Sequence, residues 1–175
     1  MIRQLILLTL TLSGLGACST TGDILATPIA TATLRSANGL PTGTAALTAT
    51  GTQLSLSLAA TGLPAGAHGL HLHMSGKCEG PGFASAGGHL NPAGHQHGTN
   101  NPAGSHLGDL PNLVIDTKGA GALSVLLQAS RAELEAAILD ADGTALVVHA
   151  DPDDYKTDPS GNSGTRIACA VWQRR

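Results

Sequence analysis

The sequence predicts an all-β domain, a sandwich or barrel of about eight short strands, and three observations carry that prediction. Short runs rich in Thr, Val, Ile and Leu recur along the chain; Gln53-Leu54-Ser55-Leu56-Ser57-Leu58 alternates strictly, so its leucines share one face of a sheet. Turn signals separate the runs, with 23 Gly and 9 Pro in 175 residues. Charged residues make up 12% and aromatics 2%, so the core must be built from Leu, Val, Ile and Ala. The length suits one domain with a sizeable core, and no internal repeat or second domain is visible.

In order, Ile29 to Leu34 is the first run, closed by Asn38-Gly39 and Pro41. Thr44 to Thr50 follows, Gly51 breaks it, and Gln53 to Leu58 comes next. Gly62-Leu63-Pro64-Ala65-Gly66 turns the chain into a strand from Ala67 to Met74. Beyond a long loop, Leu110 to Asp116 reads as a strand, Thr117-Lys118-Gly119 as a turn and Ala122 to Gln128 as a strand. Ser130 to Leu139 has helical composition and a capping-box pattern, Ser130 with Glu133, and fits either a short helix or an irregular connection. Asp142-Gly143 turns into Thr144 to His149, Asp151 to Gly164 forms a second polar loop, and Thr165 to Trp172 closes the domain.

The N-terminus reads as a targeting segment. Arg3 precedes an apolar run from Leu5 to Leu15, which has the length of a secretory core and is too short to span a bilayer. Leu15-Gly16-Ala17-Cys18 resembles the lipobox of bacterial lipoproteins, so residues 1–17 are expected to be a leader, Cys18 the lipidated residue and 18–27 a tether. The other reading is an ordinary leader cleaved near Ala17, with Cys18 left free. The protein is then expected to be exported, periplasmic or at the cell surface, and held to a membrane by lipid. Removing the leader takes Arg3 away and moves the net charge from −3 to −4 (8 basic, 12 acidic residues). Neither value gives a basic footprint for nucleic acid. In an oxidising compartment Cys78 and Cys169 read as a disulfide, with two buried thiols as the other reading. Closing a loop of that span stabilises by about 4–5 kcal/mol in the chain-entropy account.

The stretch from His71 to Asp109 holds six of the eight histidines. His71 and His73, two apart on a strand, share a face. His89, His97 and His106 lie in a loop of Gly, Pro and Asn, and Asp109 follows His106 by three residues, close enough for one turn to aim both at one centre. His149 ends a distant strand. Neutral imidazole is the commonest metal ligand, and a nitrogen-rich set with one carboxylate suits Zn or Cu rather than Mg or Ca. The set fits one crowded site or two adjacent ones.

Those residues carry a resemblance. Gly69-Leu70-His71-Leu72-His73, Ser85-Ala86-Gly87-Gly88-His89-Leu90-Asn91-Pro92, His97-Gly98, His106-Leu107-Gly108-Asp109-Leu110, Leu146-Val147-Val148-His149 and Arg166-Ile167-Ala168-Cys169 together resemble the bacterial exported copper/zinc superoxide dismutases, from about Pro28 to Trp172. The resemblance implies an eight-stranded Greek-key β-sandwich or barrel with two long loops forming the metal site. It implies copper on His71, His73, His89 and His149, and zinc on His89, His97, His106 and Asp109, with His89 bridging the two. It assigns Arg166 to the mouth of the copper channel, where a surface salt bridge is the plainer reading. It gives Asp153 hydrogen bonds to His71 and His97, where a solvated acidic loop with Asp151, Asp154 and Asp158 is the plainer reading. Superoxide is the implied substrate, and a homodimer is compatible with the family. His68 is expected to be structural and His95 exposed, while Met74 stands where many relatives carry an acid. Lys156 is the only cation of the loop from Asp151 to Gly164, where eukaryotic relatives steer superoxide with lysines, so steering is expected to be weaker or arranged elsewhere. The alternative function is a lipid-anchored copper or zinc carrier without turnover, which would need neither a channel arginine nor a closed zinc site. A purely structural envelope protein would leave seven placed ligands unexplained.

Overall fold

The computed structural model describes residues 25–175. The leader, Cys18 and most of the tether lie outside the described residues. In chain order the strands are β1 (Thr27–Ser36), β2 (Pro41–Thr50), β3 (Gln53–Thr61), β4 (Gly66–His68), β5 (Leu70–His73), β6 (Leu113–Ile115) and β7 (Ala120–Leu126). Helix α1 (Arg131–Ile138) follows, then β8 (Ala145–His149), β9 (Arg166–Val171) and β10 (Gln173–Arg174). The main sheet runs β5-β8-β9-β1-β2-β3-β7, with β10 also paired to β1, and β4 and β6 form a separate two-stranded ribbon. All the pairings are antiparallel. The result is the expected all-β Greek-key class, a sheet curled into a half-barrel around the main core.

Alternation does what the sequence requires of it. In β3, Leu54, Leu56, Leu58 and Ala60 are buried while Gln53, Ser57, Ala59 and Thr61 are exposed. Leu34, Leu47, Leu70, Leu72, Leu113 and Leu146 complete an aliphatic centre in which Trp172 is the one aromatic side chain among the described residues. At about 25 cal/mol per Å² of apolar surface removed from water, each such leucine contributes roughly 2 kcal/mol. The segment Ser130 to Leu139 resolves to the helical alternative. Ser130 Oγ accepts from the Glu133 backbone N–H, and the Glu133 carboxylate accepts from the Ser130 N–H; Leu134 and Ile138, one turn apart, fill the core side.

The run from Ala67 to Met74 is not one strand. It breaks at Gly69 because the chain changes partners there, from β6 to β8. The Gly69 N–H donates to Asp151 O and its carbonyl accepts from the His149 N–H, while a Cβ at this position would sit 2.5 Å from Ser163 Oγ. Only glycine lets the three segments meet that closely. This break and the short β10 account for the ten strands seen against about eight expected. Cys78 and Cys169 form a disulfide, with Cα atoms 5.7 Å apart, joining the loop after β5 to the middle of β9. Phe83, Ala86, Ala145 and Val147 pack around it as a small second core.

Candidate metal centre

β5 delivers His71 and His73, β8 delivers His149, and the long loop between β5 and β6 delivers His89, His97, His106 and Asp109. All seven are brought together. His71, His73, His89 and His149 offer ring nitrogens within 4.8 Å of one another. A second grouping on the same criterion is His71, His89, His97 and Asp109. His106 falls outside that grouping, yet its Nδ1 lies 3.2 Å from Asp109 Oδ1 and 3.3 Å from His89 Nδ1. His71 enters it by nearness alone, since its Nε2 donates to Asp153 Oδ2 at 2.9 Å and its ring stacks on that of His89, centroids 3.9 Å apart.

Hydrogen bonds decide which nitrogen of each ring is free. His73 Nδ1 donates to Gly87 O (2.9 Å) and His149 Nδ1 to Gly164 O (3.2 Å), leaving their Nε2 atoms 3.4 Å apart and facing one another. His71 and His97 each donate Nε2–H to Asp153, at 2.9 Å in both cases. Their Nδ1 atoms, and Nε2 of His89, are buried with no hydrogen-bond partner. Asp109 Oδ2 accepts the backbone N–H groups of Gly98 and His106, while its Oδ1 lies 3.0 Å from Nδ1 of His89, 3.0 Å from Nδ1 of His97 and 3.2 Å from Nδ1 of His106. Buried polar atoms without partners are rare because each forgoes the hydrogen bond it had in water. Three of them converging here, with the opposite nitrogen of each ring held by Asp153 or Asp109, is the pattern of ligand rings held for metal. The donors fit copper and zinc: imidazole nitrogens in one group, three imidazoles and one carboxylate in the other.

Burial sets the protonation of these rings. It pushes His73 down to about 2, His149 to about 3 and His89 to about 4, and lowers His71 against the opposing pull of Asp153. At neutral pH the four are neutral and able to ligate. Burial works to raise the Asp109 carboxyl, but the hydrogen bonds from His89 and the Gly98 N–H outweigh it and the pKa falls. Asp153 is lowered in the same way, by His71, His97 and the Tyr155 N–H against burial. Its side chain is fully buried, whereas Asp151, Asp154 and Asp158 are exposed, so Asp153 is no part of a solvated acidic run.

Arg166 forms no surface salt bridge. Nη1 donates to Phe83 O and Nη2 to Gly87 O, each at 2.6 Å, and the guanidinium lines a cleft of about 430 Å³ together with His73, His89, His149 and Asp158. Gly87 O therefore receives both Arg166 and His73. His68 is buried, with its ring nitrogens at 2.8 and 2.9 Å from the carbonyls of His149 and Pro64, as a structural residue would be. His95 is exposed, near Ser105 O. Met74 lies just beyond β5, 55% exposed, against Gly87. Sequence reasoning missed Asn112 and Tyr155, which hold Asp153, and Gly161, where a Cβ would lie 1.8 Å from Asp153 Oδ1. Only the folded contacts reveal them; no local pattern singles them out.

Fold and site together define an all-β protein with two adjacent histidine-rich groupings suited to metal, which have His71 and His89 in common. The chain belongs to the copper/zinc superoxide dismutase family, whose profile, described as copper/zinc superoxide dismutase, matches residues 41–172. A superoxide dismutase [Cu-Zn] of Aquifex aeolicus is 45% identical over 133 residues, 74% of this chain and 77% of that protein. One from Caulobacter vibrioides is 40% identical over 146 residues, 81% and 84% of the two chains. Among solved structures, a SOD-like protein from Bacillus subtilis superposes with a TM-score of 0.75 at 37% identity, covering 81% of this chain and 96% of the other.

Proposed function

We propose that Nδ1 of His71 and Nε2 of His73, His89 and His149 hold copper, and that Nδ1 of His89, His97 and His106 with Oδ1 of Asp109 hold zinc. The observation that carries this reading is His89, which turns one nitrogen toward each grouping. The activity is dismutation: two superoxide ions and two protons become dioxygen and hydrogen peroxide. Copper, when bound, supplies the one-electron couple, which zinc lacks.

The chain's own groups do the rest. Arg166 places a fixed positive charge beside the cleft, drawing in an anion on a chain that is net negative. Its two carbonyl partners keep the guanidinium from swinging away. Asp153 keeps the proton on Nε2 of His71 and His97, so their Nδ1 atoms stay free to ligate. His89 Nε2, buried and without a hydrogen-bond partner, can hold a proton whenever that nitrogen is not engaged. Pulse radiolysis of the Ser19–Arg175 protein with both metals verified tests the reading. Fast copper-dependent decay is expected, and Arg166→Ala should slow it by about ten-fold or more while metal content holds. Decay no faster than buffer would leave the carrier reading.

We also propose that the protein is exported and anchored through Cys18. The disulfide supports an oxidising compartment, and the lipobox-like run supports lipidation. No helix among the described residues is long and apolar enough to cross a membrane. Labelled fatty acid should enter the wild-type chain and not Cys18→Ser. Sedimentation velocity on the same preparation checks for the homodimer compatible with the family.

A further inference from the structure

We propose that Tyr155 and Asn112 form a positioning clamp that sets the affinity of both metal sites through Asp153. The proposal rests on the ligand assignment above.

Among the described residues, Asp153 is the only side chain that reaches a ring of each grouping without being a ligand, so its placement sets His71 and His97 together. A carboxylate on a polar loop holds that position only if its backbone is fixed. Asn112 fixes it from both sides: its Oδ1 accepts from the Asp153 N–H at 2.8 Å, and its Nδ2 donates to Asp153 O at 2.9 Å. Asn112 is itself held, three residues after Asp109, by its own backbone N–H donating to the Tyr155 hydroxyl at 2.8 Å.

Tyr155 is tied at three points. Its N–H donates to Asp153 Oδ1 at 2.7 Å, its carbonyl accepts from the Asn100 N–H at 2.9 Å, and its hydroxyl accepts from Asn112. It adopts φ of 61°, a left-handed conformation that a bulky side chain adopts only when its surroundings hold it. Gly98 passes so close that a Cβ there would lie 2.1 Å from Tyr155 O. The tyrosine thus joins three segments: the Gly98–Asn100 stretch beside His97, the Asp109–Asn112 turn and the loop carrying Asp153. Neither Tyr155 nor Asn112 is within the ligand set, so the clamp acts only by orienting it.

The test compares Tyr155→Phe, Asn112→Ala and Asp153→Ala, each also combined with Asp153→Ala where applicable. Copper and zinc affinities are measured separately by chelator competition, alongside the melting temperature of the metal-free protein. Partners that orient ligand rings typically contribute about 10–100-fold in metal affinity. Asn112→Ala is expected to weaken both metals by about ten-fold, and Tyr155→Phe, which removes one hydroxyl and leaves the ring, by several-fold. In the Asp153→Ala background neither change should weaken binding further. Loss of melting temperature with affinities unchanged would overturn the clamp, as would a loss confined to one metal or one that persists undiminished without Asp153. If Asp153→Ala itself leaves both affinities intact, the clamp fails, since it acts only through Asp153; the ligand assignment is tested separately, by loss of copper in His149→Ala and of zinc in His106→Ala.

Discussion

The sheet β1-β2-β3-β7 and the loop-built end that carries the histidines are made by opposite means. In the sheet, stability comes from area: leucines and alanines face in, small Thr, Ser and Ala side chains face out, and no buried ionisable group lies among the core residues of β1, β2 and β3. At the metal end it comes from one-to-one polar pairing, in which Asp109, Asp153, Asn112 and Gly87 O each serve named partners. The contrast teaches that the frame can exchange one apolar side chain for another, because packing is shared among many neighbours. The site cannot, because a buried polar atom that loses its partner finds no substitute.

The sharpest way to separate the two regions is to remove a ligand. On the proposed assignment, His149→Ala should reduce dismutation by more than the roughly 100-fold that an outer partner contributes, with little change in metal-free stability. Copper analysis and pulse radiolysis read the first half, calorimetry the second.

Acid divides them next. His73, His89 and His149 sit at about 2, 4 and 3 in the folded, metal-free chain, below the ordinary 6.5. The unfolded chain therefore binds protons first as pH falls. Stability is full above 6.5, is lost progressively down to about 2, where His73 is the last of the three to bind its proton in the folded chain, and changes little below. At 1.36 kcal/mol per pKa unit, each ring removes about 2–3 kcal/mol by pH 4.5, enough in sum to unfold a domain of ordinary stability. Urea titrations of metal-free protein at pH 7.5 and 4.5 measure this, and a stability independent of pH would refute the contrast.

Leu56→Ala attacks the frame alone. It should destabilise by about 2–5 kcal/mol and leave metal affinities of the folded protein unchanged. The smallest effect is expected at α1, where Ser130→Ala removes the cap at about 1 kcal/mol without reaching the site.

Legibility in the sequence follows the same division. The alternation from Gln53 to Leu58 foretells β3, and the Ser130–Glu133 pair foretells a helix start, because both patterns are local. The histidines stand out because imidazoles have no other reason to crowd a loop of Gly and Pro. The break at Gly69 is invisible until Ser163 and Asp151 are folded against it. Asn112 and Tyr155 look like any loop residues, since Asn112 meets Tyr155 and Asp153 only across more than forty positions. Asp153 was separable from its acidic neighbours only through the family resemblance; burial makes the separation physical.

The carbonyl of Gly87 accepts both His73 and Arg166. On the proposed assignment, anion capture and the aim of one ligand ring are therefore a single degree of freedom. An engineer who shifts the Phe83–Gly87 segment to alter which anions enter would also retune the ion that His73 would hold, and selection acting on either trait would drag the other along.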